Sequence, residues 1–89
     1  MTAGEPPFSV RVMVTEVWDQ VVLSVAPDTT VADLKREALT RALKRLPPLE
    51  DYVVKFHGGL VDETATVASI GARTNAPFVI ISARRQPVR

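Results

Sequence analysis

The sequence has 89 residues, with 11 Lys or Arg side chains against 10 Asp or Glu, 46% hydrophobic residues and no cysteine. This composition is typical of one folded domain, and the lack of cysteine excludes disulfides, thiolate metal ligands and cysteine nucleophiles. The formal net charge of +1 argues against a nucleic-acid binder, because phosphate contacts require many clustered cations. No apolar run approaches the ~18 residues that a membrane-spanning helix needs.

The first elements are a pair of strands. Residues 8–14 alternate strictly and place Phe8 and three valines on one face, the pattern of a half-buried strand. Residues 20–26 form a second β-rich run, and the connection between the two runs is short enough for an antiparallel hairpin. Trp18 lies in this connection; we expect it to pack on the sheet edge, the alternative being an exposed binding hot spot.

One long helix is predicted next. Thr30 is placed as its N-cap, Val31 as its first residue and Asp33 near its positive end. Because a residue before proline is pushed out of the α region, Leu46, which precedes Pro47, marks the predicted end. The apolar face of this helix comprises Val31, Leu34, Ala38, Leu39, Ala42, Leu43 and Leu46.

The remaining elements are short. Residues 52–57 alternate again, Gly58-Gly59 signals a turn, and residues 60–61 can supply only a very short strand. Residues 66–71 could close a single helical or 3₁₀ turn. Residues 77–83 form the most apolar run, which is typical of a strand in the middle of a sheet. The order predicts an α+β fold with a mixed sheet of four to five strands packed on one main helix.

This order and several local stretches resemble ubiquitin and the β-grasp family. The stretches that carry the resemblance are residues 25–27 with Thr30 heading the helix, 46–48, 56–58, 66–69 before Gly71, and 78–81. The resemblance covers residues 8–85 and implies a ubiquitin-like β-grasp domain, similar to small bacterial ubiquitin-like proteins. Residues 1–7 are expected to form a disordered leader and residues 86–89 a flexible tail.

The resemblance also implies an ion pair inside the fold. Ubiquitin has a largely buried lysine at the place of Lys35, paired with an acidic residue in the loop after the fourth strand. We therefore predict that Lys35 pairs with Asp62 or Glu63. In the alternative, its stem covers the edge of the core while its ammonium reaches water.

The family's main recognition patch can be transferred by position. It centres on an isoleucine in the third strand, flanked by a leucine in the first loop and by a histidine and a valine on the last strand. The corresponding places hold Lys55, approximately Glu16, Val79 and Ile81. Ordinary ubiquitin receptors are not expected to recognise this chain, because burying an unpaired ammonium group is costly.

Alternation nevertheless puts a mixed set of side chains outward. Val53, Lys55 and His57 face out on one strand, and Val79 and Ile81 face out on the next. We predict that these residues dock a partner protein that offers an apolar surface with carboxylates. The alternative is that β-branched residues face outward only because strands favour them.

The sequence therefore predicts a non-covalent ubiquitin-like protein-interaction module, an adaptor or small subunit of a larger assembly. Arg84 and Arg85 are added to its predicted partner-binding residues. The alternative is a covalent modifier or sulfur-carrier-like protein, which needs a terminal glycine pair where this sequence has Gln86 and Pro87. A third hypothesis, a basic tail binding nucleic acid or acidic membrane, predicts only weak, salt-dependent attachment.

No catalytic residue, metal site or cofactor site is expected. His57 is the only histidine, and without a cysteine or an acidic cluster beside it in the sequence it cannot assemble a metal site. The missing cysteines and the lack of a signal-peptide pattern favour a cytoplasmic protein, which we expect to be a monomer. The excess of arginine over lysine fits a G+C-rich bacterial genome.

Overall fold

The computed structural model describes residues 8–82, which form five strands, one α-helix and one short 3₁₀ helix. The strands are β1 (Phe8–Val14), β2 (Asp19–Val25), β3 (Tyr52–Phe56), β4 (Gly59–Leu60) and β5 (Ala76–Ser82). The helix α1 spans Val31–Leu43, and the 3₁₀ helix spans Leu49–Asp51. The predicted leader and tail lie outside the described residues.

The strands form one mixed sheet in the order β2-β1-β5-β3-β4. β1 pairs antiparallel with β2 and parallel with β5, and β3 pairs antiparallel with both β5 and β4. The most apolar strand therefore lies in the middle, as its continuous apolar run predicted. The predicted α+β architecture, a mixed sheet on one main helix, is confirmed.

The core lies between α1 and one face of the sheet. Alternate residues of each strand point toward the helix, so that Val10, Val12 and Val14 on β1 and Phe78 and Ile80 on β5 are almost completely buried. Burying such a side chain fully contributes about 1.5–3 kcal/mol to folding. From the helix, the core receives Val31, Leu34, Ala38 and Leu39.

The start of α1 confirms the predicted cap, and its end corrects the predicted boundary. The Thr30 side chain accepts a hydrogen bond from the Asp33 amide at 3.1 Å. At the other end Lys44 adopts a left-handed conformation (φ 62°) and donates its amide to the Thr40 carbonyl. This cap stops the helix at Leu43, well before the proline could act. Leu46 is 59% exposed, so its assignment to the apolar helix face is wrong.

The two predicted turns are present in modified form. His57 and Gly58 both have positive φ (55° and 82°) between the paired residues Phe56 and Gly59. Two consecutive residues with positive φ form the two-residue hairpin turn whose backbone twist matches that of the flanking strands. His57 thus belongs to the turn and Gly59 to β4, whereas the sequence placed His57 on the strand.

The segment 66–71 forms successive hydrogen-bonded turns, and the short 3₁₀ helix lies instead at Leu49–Asp51. The Ser69 amide donates to the carbonyl and to the side-chain oxygen of Thr66, both at 3.1 Å. Gly71, at φ 87°, ends this segment. Thr66 therefore caps a tight turn as predicted, but no regular helix follows it.

Candidate functional site

The sheet face that points away from α1 carries most of the predicted partner-binding side chains. In the pairing of β3 with β5, Val53 lies opposite Ile81 and Lys55 opposite Val79. Directly opposed residues share a face, and their Cβ atoms lie about 4.5–5.5 Å apart in an antiparallel pair. These four side chains are all partly exposed, so the structure brings them together on an accessible surface.

Two further residues extend this surface, and the sequence reasoning missed them. Met13 on β1 pairs with Val79, and Leu60 on β4 pairs with Lys55. Together they complete a row across four strands, in the order Met13, Val79, Lys55, Leu60. We call this row and the adjacent pair Val53 and Ile81 the outer-face patch. Alternation in β1 could have revealed Met13, because it puts this residue opposite the buried valines.

Leu60 gives the outer-face patch an exposed hydrophobic rim. Its side chain is 67% exposed at the sheet edge, whereas its strand neighbour Lys55 is partly buried. The signal for Leu60 was weak, because a two-residue strand shows no periodicity. Its face follows only from the register with β3.

The strand residues that face this side of the sheet carry charge of one sign only. Arg11 and Lys55 are outward-facing cations, and no strand residue facing this side in the described part of the chain carries a carboxylate. The Arg11 side chain donates to the Asn75 carbonyl at 3.4 Å. Helix α1, in contrast, balances its exposed charges in two ion pairs, Asp33–Arg36 at 3.2 Å and Glu37–Arg41 at 2.9 Å.

His57 lies in the β3–β4 turn. Its ring is 4.1 Å from the Phe56 ring centroid to centroid, in an edge-to-face arrangement. The residue is exposed, and its left-handed backbone aims it differently from a strand side chain. His57 is therefore near Lys55 in sequence, but the structure does not place it in the outer-face patch.

The first loop is fixed to the sheet although its apolar side chains are exposed. Thr15 donates its amide and its hydroxyl to the Ile80 carbonyl, and the Tyr52 hydroxyl donates to Glu16. Trp18 is nevertheless 78% exposed, and its φ is 52°. The prediction that Trp18 packs on the sheet edge is wrong, because other residues anchor the loop.

The predicted ion pair of Lys35 is confirmed, with Glu63 as the partner. The Lys35 ammonium lies 2.7 Å from the Glu63 carboxylate and also donates to the carbonyls of Leu49 and Tyr52. The Lys35 side chain is only 4% exposed. With three acceptors this ammonium is fully engaged, so Lys35 has a structural role and lies outside the outer-face patch.

Asp62 makes no ion pair with Lys35 and instead folds back onto its own loop. Its carboxylate accepts bonds from the Thr64 hydroxyl at 2.7 Å and the Thr64 amide at 2.9 Å. These two bonds hold the pKa of Asp62 below its ordinary value, and the bond from the Thr64 hydroxyl has the larger effect.

No family model matches the sequence, and no curated protein sequence matches it. Several solved structures match the fold of the chain. The ubiquitin of Caldiarchaeum subterraneum superposes with a TM-score of 0.73 at 21% identity, over 91% of this chain and 99% of that one. The ubiquitin-like domain of Plasmodium falciparum Dsk2 superposes with a TM-score of 0.70 at 20% identity, over 85% of this chain and 97% of that one. A ubiquitin-like domain from Arabidopsis thaliana superposes with a TM-score of 0.75 at 16% identity, over 99% of this chain and 89% of that one. The fold is ubiquitin-like.

The structure gives the places of the residues that the resemblance singled out. Lys55 lies one residue before the end of β3, with Val79 opposite it on β5. Glu16 lies in the first loop as expected. Superposition at 16–21% identity shows the fold alone.

The remaining predictions concern residues and groups elsewhere in the chain. Arg84 and Arg85 lie outside the described residues. Between residues 8 and 82, no three His, Asp or Glu side chains come close enough together to hold a metal ion. Over the same range, no helix is long and apolar enough to span a bilayer.

Proposed function

We propose that this chain is a non-covalent protein-interaction module that binds its partner through the outer-face patch. The observation that carries the proposal is the row from Met13 to Leu60, in which apolar side chains on three strands flank the single ammonium group of Lys55. Such a mixture of apolar and cationic side chains is suited to protein recognition and offers no group for catalysis. An adaptor or a small subunit of a larger assembly would use it.

The charge of the patch defines the chemistry of the partner. Lys55 lies between Val79 and Leu60, so a partner that covers both apolar neighbours also covers the ammonium group. Burying that group without a counter-charge is costly, and a carboxylate on the partner removes this cost. We infer that the partner presents apolar side chains flanked by at least one Asp or Glu.

Two features of the sequence support a module that is not conjugated. From Ala72 to Arg89 the chain contains no glycine, so this segment offers no diglycine for activation. The one adjacent glycine pair is Gly58-Gly59, where Gly58 forms the hairpin turn and Gly59 pairs with Phe56. The proposal includes a bacterial, cytoplasmic protein without enzymatic activity.

The patch is tested by affinity purification from the source cells with matched variants. V79D/I81D introduces two carboxylates into the patch, and V22D/S24D introduces two on the same sheet face at β2. We expect the first variant to lose partners that the second retains, because added carboxylates repel an acidic partner only where it binds. Equal recovery with both variants would show that the outer-face patch is not the binding site.

The partner's charge and the absence of conjugation need separate measurements. With a recovered partner, titration calorimetry of K55E is expected to show affinity at least about tenfold weaker than K55M, because reversed charge adds repulsion to the lost ion pair. Equal affinities would contradict an acidic partner. Denaturing electrophoresis of the tagged chain from cells is expected to show only its own mass, and a ladder of higher-mass adducts would establish covalent conjugation instead.

A further inference from the structure

The strand β2 forms an unusual edge of the sheet. It pairs with β1 through an unbroken register from Phe8↔Val25 to Val14↔Asp19, with no bulge. On its other side no strand within residues 8–82 pairs with it. Its outer row of backbone amides and carbonyls is therefore available for a further strand.

Natural edge strands are usually protected against such pairing, and β2 lacks the common protections. Lysine, proline, bulges and short length all discourage edge-to-edge contact. After Asp19, the β2 sequence Gln20 to Val25 contains no charge, no proline and no glycine. Val22, near the centre of the strand, is 54% exposed.

The groove beside β2 favours an uncharged occupant. It has a volume of about 390 Å³ and lies between β2 and α1. Its helical wall supplies the ion pairs Asp33–Arg36 and Glu37–Arg41, so the wall has two positive and two negative groups. A strongly charged segment gains no net attraction there. A neutral extended segment fits best, and residues 20–25 of β2 are themselves such a segment.

We propose that two copies of this chain associate through their β2 strands. Antiparallel pairing about a two-fold axis at Val22 places Val22 opposite Val22 of the partner subunit. The same register sets Gln20 opposite Ser24 of the partner subunit and Val21 opposite Leu23 of the partner subunit. No like charges face each other in this arrangement, and the sheet continues from one copy into the other with both helices on the same side.

The association closes at two copies. The opposite edge of the sheet is β4, which has only two residues and offers too little backbone for a second pairing. A single strand pair buries little area, which places the dimer among weak, reversible contacts. The dimer contact uses the edge of β2, whereas the outer-face patch lies on β1, β5, β3 and β4. The dimer therefore does not depend on the proposed function, and it leaves Lys55 and Val79 exposed.

Sedimentation equilibrium of the full chain tests the dimer, at concentrations from about 10 μM to about 1 mM, which cover weak dissociation constants. We expect the mean mass to rise toward twice 9.7 kDa and no further. V22K is expected to raise the dissociation constant at least about tenfold, because two ammonium groups then meet at the axis. The matched control is L60K, which changes an exposed hydrophobic residue at the other edge of the sheet. This variant is expected to associate like the wild type.

Four results would overturn the proposal. They are a monomer at every concentration, growth beyond two copies, undiminished association of V22K, and a loss in L60K equal to that in V22K, which would assign association to the outer-face patch. Circular dichroism confirms that both variants fold. Amide exchange provides an independent readout, because only β2 pairing slows exchange of the β2 amides as concentration rises.

Discussion

The Lys35 ammonium lies 2.7 Å from the Glu63 carboxylate and 2.8 Å from the Leu49 carbonyl. A third bond, to the Tyr52 carbonyl at 3.0 Å, completes its coordination. One side chain thereby joins α1 to the 3₁₀ helix, to the start of β3 and to the loop after β4. This buried ammonium connects segments that the sheet hydrogen bonds leave apart.

Removing the two partners of this ion pair is expected to have unequal effects. K35M leaves two carbonyls without their donor and should lower the free energy of unfolding by about 2–4 kcal/mol. E63Q leaves Lys35 with both carbonyls, and Glu63 is 34% exposed, so about 0.5–1.5 kcal/mol should be lost. Urea unfolding of both single variants and the double variant measures the coupling, and a value below ~0.5 kcal/mol would contradict the pair.

The left-handed conformation of Lys44 predicts a stabilising glycine. At φ 62° a Cβ atom is strained, so K44G should raise the free energy of unfolding by about 0.5–1 kcal/mol. K44A is the matched control, because it removes the charge but retains the Cβ atom. Thermal unfolding of the three proteins checks this, and equal gains from both variants would assign the effect to the charge.

The exposures of two helix-region leucines predict very different costs of truncation. Leu39 is completely buried against the sheet, and L39A should cost about 2–5 kcal/mol. Leu46 is 59% exposed, so L46A should change the free energy of unfolding by no more than about 0.5 kcal/mol. Denaturant unfolding compares the two. A large loss of unfolding free energy in L46A would instead show that Leu46 packs on the apolar face of the helix, as the helical periodicity suggested.

The hydrogen bonds to Asp62 predict a measurable pH effect. Since folding lowers the pKa of this carboxyl, its contribution to stability is present above the unfolded pKa and is lost as pH falls through the folded pKa. T64V removes the hydroxyl donor and should raise the pKa of Asp62 toward its ordinary value. Carbon-detected NMR titration measures it in both proteins. An unchanged pKa in T64V would show that the hydroxyl bond does not cause the shift.

The elements with clear periodicity were predictable from the sequence. β1 and β3 alternate, α1 has both a cap and an apolar face, and β5 is continuously apolar, so each signal is local. The predictions that failed depend on backbone conformation without such a signal. Lys44 and His57 adopt positive φ although neither is glycine, and this shortened the helix and moved His57 into the turn.

The candidate site was predictable only where its residues belong to long strands. Val53, Lys55, Val79 and Ile81 follow from alternation together with the expected pairing of their strands. Leu60 follows only from the register of a two-residue strand. The exposure of Trp18 depends on Thr15 and Glu16 holding the loop, which composition does not reveal.

The central position of β5 determines when the sheet can assemble. Val10 on the first strand pairs with Ala76 on the last, and β3 reaches β1 only through β5. A growing chain on the ribosome can form the first hairpin and the helix, but the two halves of the sheet stay separate until the last strand emerges. Such distant pairing makes folding slow relative to helical proteins, and the sheet is joined into one only by its last strand.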